Sequence, residues 1–458
     1  MNKKIRFIFT VLLLIGAPSV FAMSDAEIEK KFDAYEAKIK ALEKKVNASP
    51  ASVNKKMVKN VKKNKKRISK LKKLMDSEKE RFQMNGFMTV AASKADAELG
   101  SAYHFNDRVN FRGDSKVGMQ FDYKLSEDMD ATIQLVARSR DEDVWTADAE
   151  WAYVGKRFTD WMKVRVGRLR IPFYLYSESL DVGYSYPWVR PPIDLYTTLV
   201  TSFDGMDVAF KFPTGPVNHR VQVWVAGWTN TDADALDDID VYDTRGVNIT
   251  SSWRAFTLRL ATTSIALEGT QTTEFYSDIN DAGLAGYAFA TGGTATCLEP
   301  SPVLTVIAGE SICSRWDLII DIDDTITYNS LAFQYDNGTF FTIYEAALLD
   351  LKEESIFGNG RADVVTFGYR FQSWTPYIAG GVTESDPANL IPGSTETSRR
   401  SWLLGLQHIL NDSTSIKFEW NHLYDFEGTD GFDEGALEPG ETDLDDANIY
   451  TIAIDAVF

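Results

Sequence analysis

From residue 85 onward, apolar and polar side chains alternate along the sequence with a period of two. The clearest run places apolar residues at every second position: Val117, Met119, Phe121, Tyr123 and Leu125. The positions between them are small or polar: Gly118, Gln120, Asp122 and Lys124. This alternation predicts β-strands with one apolar and one wet face. A membrane barrel and a soluble β-sandwich both satisfy the pattern.

The spacing of the turns distinguishes these two folds. Seven short connections are predicted, at 126–128, 157–160, 213–216, 252–254, 336–338, 372–374 and 411–413. Longer connections alternate with them, at 94–107, 139–143, 171–203, 229–243, 264–325, 349–361, 384–399 and 424–447. Short turns at one end and long loops at the other are typical of outer-membrane barrels. We therefore predict an all-β membrane protein in which residues 85–458 form a 16-stranded antiparallel transmembrane β-barrel.

The last strand and the turn regions carry aromatic residues in the positions that a barrel needs. One face of the final strand is apolar and ends in an aromatic residue: Tyr450, Ile452, Ile454 and Phe458. This ending resembles the terminal signal by which outer-membrane proteins are recognised for insertion. Aromatics also gather beside the short turns, as in Phe210 and Phe212, or Trp253 and Phe256. Such belts are expected at the lipid–water boundary, whereas ordinary core aromatics would not concentrate at one end.

The first residues predict export. Lys3, Lys4 and Arg6 precede a short apolar run, and Val20-Phe21-Ala22 matches a signal-peptidase site. Residues 1–22 are therefore predicted to be a signal peptide that is removed. No later stretch reaches the roughly 18 consecutive apolar residues that a spanning helix needs.

Residues 23–84 differ in charge and in period from the rest of the chain. They carry a net charge of +10, whereas residues 85–458 carry −31. Apolar residues recur at alternating spacings of four and three from Ile28 to Val46, and again from Met57 to Met75, where Asn64 takes one position of the seam. This spacing predicts a periplasmic α-helical coiled-coil stalk, interrupted at Pro50. A single lysine-rich amphipathic helix lying on an anionic surface is the alternative.

The composition excludes most catalytic chemistry. The chain has two cysteines and four scattered histidines, and no spacing among them fits a metal site. No nucleotide loop or nucleophile motif is present, so we expect neither an enzyme nor a cofactor. Cys297 and Cys313 are predicted to form a disulfide, the usual outcome for two cysteines in an oxidising periplasm. An intermolecular or reactive role for them is the alternative.

Two segments resemble the general porins of Gram-negative bacteria. Residues 164–173 (VRVGRLRIPF) are similar to the strand end that opens their inward-folded constriction loop, and 203–208 (FDGMDV) to the return strand. The N-terminal coiled coil resembles a subgroup of trimeric channels that includes dicarboxylate porins. The resemblance implies that residues 172–203 fold into the lumen and that the protein is a homotrimer. The loop lacks the short acidic motif of enterobacterial porins, and the body is unusually acidic.

Within this resemblance, the constriction loop offers Glu178, Asp181 and Asp194 as carboxylates and Arg190 as a counter-charge. If the apolar positions of each strand face the lipid, a set of basic residues on the opposite face points to the lumen: Lys116, Arg138, Lys163, Arg165, Arg220, Arg259, Arg370 and Lys417. We hypothesise that some of them face the loop carboxylates across the constriction, producing a transverse field. Arg168 and Arg170 have the opposite parity and are predicted at the rim. An outward surface loop is the alternative reading of 172–203.

These features predict an outer-membrane porin for passive diffusion of small hydrophilic solutes and ions. A substrate-selective channel for dicarboxylates, phosphate or sugars is one alternative, and an envelope tether or adhesin is another. The expected partners are the outer membrane with its lipopolysaccharide, further copies of the chain and the cell wall, but no nucleic acid. The acidic external loops favour cations and the basic wall favours anions, so no ion preference follows.

Overall fold

The computed structural model describes two compact units, Met1–Gln83 and Met84–Phe458. The described residues of the second unit fall in a series of ranges: 84–96, 105–138, 145–196, 201–227, 229–230, 239–275, 279–280, 294–300, 312–351, 358–387, 396–426 and 446–458. In the first unit the structure describes residues 30, 33–35, 37–41, 44, 59, 62–70 and 81–83, which are helical except for the extended residues 82 and 83. The predicted signal peptide lies outside the described residues, as does much of the predicted stalk, which stays a prediction. No helix in the described part of the chain is long and apolar enough to cross a membrane.

Nineteen strands are present in the described part of the chain, all in one antiparallel sheet. They are β1 (Phe82–Ala95), β2 (Lys116–Lys124), β3 (Met129–Arg138), β4 (Thr146–Thr159), β5 (Met162–Arg170), β6 (Ser202–Thr214), β7 (Val217–Ala226), β8 (Thr229–Asn230), β9 (Ile239–Trp253), β10 (Phe256–Phe275), β11 (Ile279–Asn280), β12 (Thr294–Pro300), β13 (Ile312–Asp336), β14 (Phe340–Asp350), β15 (Gly360–Tyr369), β16 (Trp374–Ser385), β17 (Thr397–Asn411), β18 (Thr414–Tyr424) and β19 (Asp446–Val457).

The sheet closes on itself. β1 pairs with β19 from Phe87 opposite Val457 to Ala95 opposite Ile449. β7 pairs directly with β9, and β10 pairs directly with β13, so the short strands β8, β11 and β12 are additions at the rim. The remaining sixteen of the nineteen strands form the ring, which confirms the predicted barrel. Each of the seven predicted short turns joins two paired strands at one end, here called the turn end, and the opposite end is called the loop end.

The predicted long loop at 264–325 is wrong in its bounds, because β10 continues to Phe275 and β13 begins at Ile312. The cause is a reversal of polarity along both strands. Near the turn end, Leu258 and Leu260 point outward and are 42% and 49% exposed. Farther along β10, Ile265 and Leu267 have the opposite parity and are buried inside.

This reversal has a physical cause. Where the strands rise beyond the lipid, water replaces hydrocarbon outside and polar residues suit the outward face. The inward face can then be apolar, and it packs with the first residues after β5 in one core cluster that includes Ile171, Phe173 and Tyr174. In this region apolar residues therefore no longer mark the outward face, although the strands continue.

The aromatic residues lie beside the short turns, as predicted. Trp253 stacks on Phe256 with ring centroids 5.9 Å apart, and Phe256 meets Tyr335 of β13 at 4.9 Å. Tyr335 in turn lies 6.3 Å from Phe340 of β14. Adjacent hairpins thus share a continuous aromatic row at the turn end, where a lipid–water boundary favours such rings.

Candidate functional site

Residues 171–201, the internal loop, connect β5 to β6 and are described at 171–196 and 201. Arg259 of β10 donates to the carbonyl of Pro172 at 2.5 Å, and the Ser330 hydroxyl of β13 donates to the carbonyl of Phe173 at 2.6 Å. Further hydrogen bonds reach the loop from β2, β3, β5, β7, β14, β16, β17, β18 and β19. Strands on opposite arcs can contact one loop only if that loop lies within the ring.

Glu178 of the internal loop lies between two arginines of the wall. Its carboxylate is 3.0 Å from the Arg165 guanidinium and 2.9 Å from that of Arg220. Arg165 also contacts Asp207, which is 1% exposed, at 2.5 Å. Burial by itself would raise the pKa of Glu178, but Arg220 and Arg165 lower it to about 2. Glu178 is therefore ionised at neutral pH and ties the loop to β5 and β7.

Asp181 forms the second charged attachment. Its carboxylate accepts from Arg138 at 2.5 Å and from Arg170. Although burial opposes ionisation, these cations keep the pKa of Asp181 well below its usual range. Glu150 of β4 contacts both arginines, at 2.5 Å and 2.8 Å, so two carboxylates balance two guanidiniums.

The predicted position of Arg170 at the outer rim is wrong. Its side chain is 2% exposed and lies among the internal charges just described. Regular alternation stops at Gly167, whose φ is 134°, and Leu169 and Arg170 are both buried beyond it. A Cβ at Gly167 would lie 2.2 Å from the carbonyl oxygen of Ala152, so only glycine fits there. Arg168, also predicted at the rim, is half-buried opposite Asp204.

The other two predicted loop charges bind the far side of the ring. Arg190 donates to Asp114 at 2.7 Å and to the Thr451 hydroxyl at 2.8 Å. Asp194 accepts from Ser401 at 2.6 Å and lies 3.4 Å from Arg399 of β17. All four charged residues predicted in the loop therefore contact the barrel wall or residues beside it.

Two predicted wall lysines bind the loop backbone. Lys417 is fully buried and donates to the carbonyls of Gly183, Tyr186 and Trp188 at 2.5–3.0 Å. It also lies 2.8 Å from Asp455 of β19. Lys116 donates to the carbonyl of Leu180 at 3.2 Å. These contacts hold the loop in place without using its carboxylates.

Two of the predicted basic wall residues pair with strand carboxylates. Lys163 lies 2.9 Å from Asp130, and Arg370 lies 2.7 Å from Asp336. With Arg259 on the Pro172 carbonyl, every one of the eight predicted wall cations has a described partner. The structure therefore differs from the hypothesis that wall cations face the loop carboxylates across the constriction, because Arg138, Arg165 and Arg220 contact these carboxylates directly.

Aromatic packing supplements these polar attachments. Tyr176 meets Trp188 edge-on with centroids 5.4 Å apart, and Trp188 is 1% exposed. Tyr186 and Trp188 pack with Phe341 and Tyr377 of the wall in one cluster. Burial raises the pKa of Tyr186 well above its ordinary value, so its hydroxyl stays neutral. The loop is packed like a protein core.

A cavity of about 700 Å³ lies inside the barrel on the turn side of the internal loop. Its boundary reaches from Glu178 to Trp161 at the β4–β5 turn. The lining is mainly polar and comes from β2 to β7: Gln120, Asp130, Thr132, Gln134, Trp151, Tyr153, Arg157, Thr159, Asp160, Trp161, Met162, Lys163, Arg165, Glu178, Ala209, Lys211 and Arg220. The internal loop therefore borders a polar space inside the barrel.

Sequence reasoning missed the acidic partners in the wall. Five buried carboxylates bind loop residues or the arginines that contact the loop: Asp114, Glu150, Asp207, Glu345 and Glu419. Parity offered a signal for Asp207, which lies between the outward Met206 and Val208. No sequence signal pairs such residues with a loop from elsewhere in the chain.

The remaining predicted residues lie at the barrel surface and in the rim additions. Cys297 of β12 and Cys313 of β13 are joined by a disulfide, with their Cα atoms 5.7 Å apart. The predicted signal residues of β19 and the residue that follows this strand all point outward and are strongly exposed: Tyr450, Ile452, Ile454 and Phe458. Among the described residues, no group of three or more His, Cys, Asp or Glu could hold a metal ion.

Several solved structures share this fold. Salmonella typhi OmpF in complex with daunomycin superposes with a TM-score of 0.50 at 11% identity, covering 82% of this chain and 97% of that chain. The outer membrane channel DcaP of Acinetobacter baumannii gives 0.49 at 11% identity (82% and 97%), and an anion-selective porin from Comamonas acidovorans gives 0.48 at 11% (82% and 99%). The likeness is one of fold, a closed sixteen-stranded barrel as in the general porins. No protein-family model and no curated protein matches the chain.

Proposed function

Because this barrel has the fold of the general porins, we propose that it is an outer-membrane porin for passive diffusion of small hydrophilic solutes and ions. The observation that carries the proposal is the internal loop, which is bonded to the wall around the ring and borders a polar cavity. A loop in that position narrows a barrel without sealing off its polar wall. Solutes must therefore pass charged pairs at close range, which favours hydrated molecules and disfavours apolar ones.

In this proposal the internal loop is the pore constriction. Glu178, Asp181, Arg190 and Asp194 fix its position through the wall contacts. Such fixed pairs produce short-range dipoles at the lumen surface rather than one broad field. The largest solute that can pass then depends on how firmly these wall contacts hold the internal loop.

Location and assembly are part of the same proposal. The outward face carries exposed apolar residues such as Val166, Ile452 and Phe418, which suit the lipid of a Gram-negative outer membrane with its lipopolysaccharide. An apolar groove on the outside of β17–β19 and β1, lined in part by Leu404 and Phe418, offers a contact surface for a homotrimer. The outward row that ends at Phe458 would act as the insertion signal, and the stalk would lie in the periplasm.

A tether to the cell wall is a second candidate function, and one observation favours it. The helical residues 62–70 carry six basic and no acidic side chains, all of them exposed. A basic helix of this kind suits contact with a carboxylate-bearing polymer. Removal of residues 23–84 separates the two functions: unchanged conductance with a detached envelope would favour the tether.

Planar-bilayer recording of the purified mature protein tests the channel. We expect discrete conductance steps, and liposome swelling with sugars that falls steeply with sugar mass. Heat-denatured protein in the same detergent is the control. A native barrel that adds no conductance, or a mature chain that stays soluble without detergent, would overturn the proposal.

A further inference from the structure

We infer that the internal loop also stabilises the closure of the barrel, a role that goes beyond narrowing a pore. The closure is the pairing of β1 with β19, from Phe87 opposite Val457 to Ala95 opposite Ile449. These two strands lie at opposite ends of the barrel sequence, whereas the other neighbouring strands of the described ring follow each other along the chain. Two strands far apart in the chain lose more chain entropy when they pair. The closure therefore gains most from additional contacts.

The inner face of the closure is covered by the internal loop. Four successive cross-strand pairs point into the barrel: Thr89 with Asp455, Ala91 with Ala453, Ser93 with Thr451, and Ala95 with Ile449. None of these eight side chains is more than 6% exposed, although most of them are short. Short side chains on the inner wall of a barrel are open to water unless something lies over them. Residues 183–193 of the internal loop contact all four pairs.

The pair nearest the turn end lies against the loop backbone. The Thr89 hydroxyl donates to the Asp455 carboxylate at 2.6 Å, across the closure. A Cβ at Gly183 would lie 2.2 Å from an oxygen of Asp455 and 2.6 Å from the hydroxyl oxygen of Thr89, so only glycine allows this approach. Lys417 of β18 then joins loop and strand, because it donates to the Gly183 carbonyl at 2.7 Å and lies 2.8 Å from Asp455.

The two pairs that contain alanine are covered by apolar loop residues. Val189 is 1% exposed and forms a small core cluster with Ala91 and Ala453, which lie directly opposite each other. Ile193 lies in one core cluster with both members of the pair nearest the loop end. A side chain that packs on both members of a cross-strand pair loses that packing when the strands separate. Its burial therefore stabilises the pairing itself.

The remaining pair belongs to a hydrogen-bonded ring of four side chains. The hydroxyls of Ser93 and Thr451 are 3.1 Å apart across the closure. Arg190 of the loop donates to Thr451 at 2.8 Å and to Asp114 at 2.7 Å. Asp114 in turn accepts from the Ser93 hydroxyl at 3.0 Å. Separation of β1 from β19 would break this buried charged network, and hydrogen bonds to charged groups are the costlier ones to lose.

Hydrogen exchange of the purified protein in detergent, measured by mass spectrometry, tests this role without relying on conduction. Val189→Ala should speed amide exchange in β1 and β19 roughly tenfold, the order expected for the loss of two buried methyl groups. Exchange in β9, half-way round the ring, should not change. Gly183→Ala forces the loop backbone away from the first pair and should accelerate exchange in the same two strands.

Leu195→Ala is the matched control. Leu195 is also a buried residue of the internal loop, but its core cluster contains no residue of β1 or β19. This variant removes more apolar volume than Val189→Ala, yet exchange in β1 and β19 should stay at the wild-type rate.

Equal acceleration of β1 and β19 in Val189→Ala and Leu195→Ala would overturn the inference, as would unchanged exchange there in both Val189→Ala and Gly183→Ala. A barrel that shows the local acceleration but adds no conductance to a planar bilayer would refute the porin function and leave the role of the loop in closure standing.

Discussion

Replacement of Glu178 by glutamine removes the charge of the loop residue that lies between Arg165 and Arg220. The glutamine has nearly the same shape, so packing is retained while both ion pairs are lost. Arg165 keeps Asp207 at 2.5 Å, but Arg220 loses its described carboxylate partner. We expect the folded barrel to be destabilised and the internal loop to be held less firmly.

The magnitude follows from the pKa of Glu178. That pKa is about 2 in the folded protein against an ordinary value of 4.5, and the side chain is 30% exposed. The difference corresponds to about 3 kcal/mol of stabilisation at neutral pH. Because the folded pKa is lowered, this contribution is complete above pH 4.5 and disappears as the pH falls toward 2. The loss in Glu178→Gln should therefore be large at pH 7 and small near pH 2.

Unfolding by guanidinium in lipid vesicles, followed by tryptophan fluorescence at several pH values, measures this difference. Glu127→Gln is the matched control, because Glu127 is exposed in the β2–β3 turn and should change stability little at any pH. Single-channel recording of the same protein should show a larger or noisier conductance in Glu178→Gln. A loss that does not depend on pH, or one below about 1 kcal/mol at pH 7, would refute the assigned role of the two ion pairs.

Three further changes test other parts of the barrel. Gly405→Ala places a Cβ about 2.0 Å from the Tyr377 ring and should lower the melting temperature. Gly360→Ala is the control, because its Cβ would lie 3.5 Å from the nearest atom and should be tolerated. Equal melting temperatures of the two variants would contradict the predicted clash. Cys297→Ser removes the disulfide and should lower the free energy of unfolding in guanidinium by up to about 3 kcal/mol. Reductant should lower the stability of the wild type by a similar amount and leave that of the variant unchanged. Phe458→Ala should reduce the yield of folded barrel in the membrane, and an unchanged yield would rule out its role in insertion.

Period-two patterning predicted the closed barrel and its turns well. On β2 and on most of β3 and β18, outward positions face hydrocarbon and inward positions face a polar interior, so side-chain polarity reports orientation directly; the buried Val136 of β3 is an exception. The prediction failed on β10 and β13 because that boundary changes along the strand. Beyond the lipid, Ile265 and Leu267 are inside, and an apolar residue no longer marks the outer face.

The sequence predicted which basic side chains point into the lumen, but not the partners that they bind there. Parity placed Arg138, Arg165 and Lys417 toward the interior, and the structure has them there. Whether each would contact a loop carboxylate, a loop carbonyl or a strand carboxylate depended on the path of the internal loop. Arg170 was misplaced because a single glycine with positive φ ended the regular alternation.

The sequence by itself determined that a ring of sixteen strands forms, which face of most strands meets lipid, and which charges point inward. These properties follow from local alternation and turn spacing, which each short segment carries independently. Only the tertiary structure decided that Glu178 joins β5 to β7 and that Lys417 binds three loop carbonyls. Such contacts join residues far apart in the chain, and their geometry exists only once the barrel has closed around its loop.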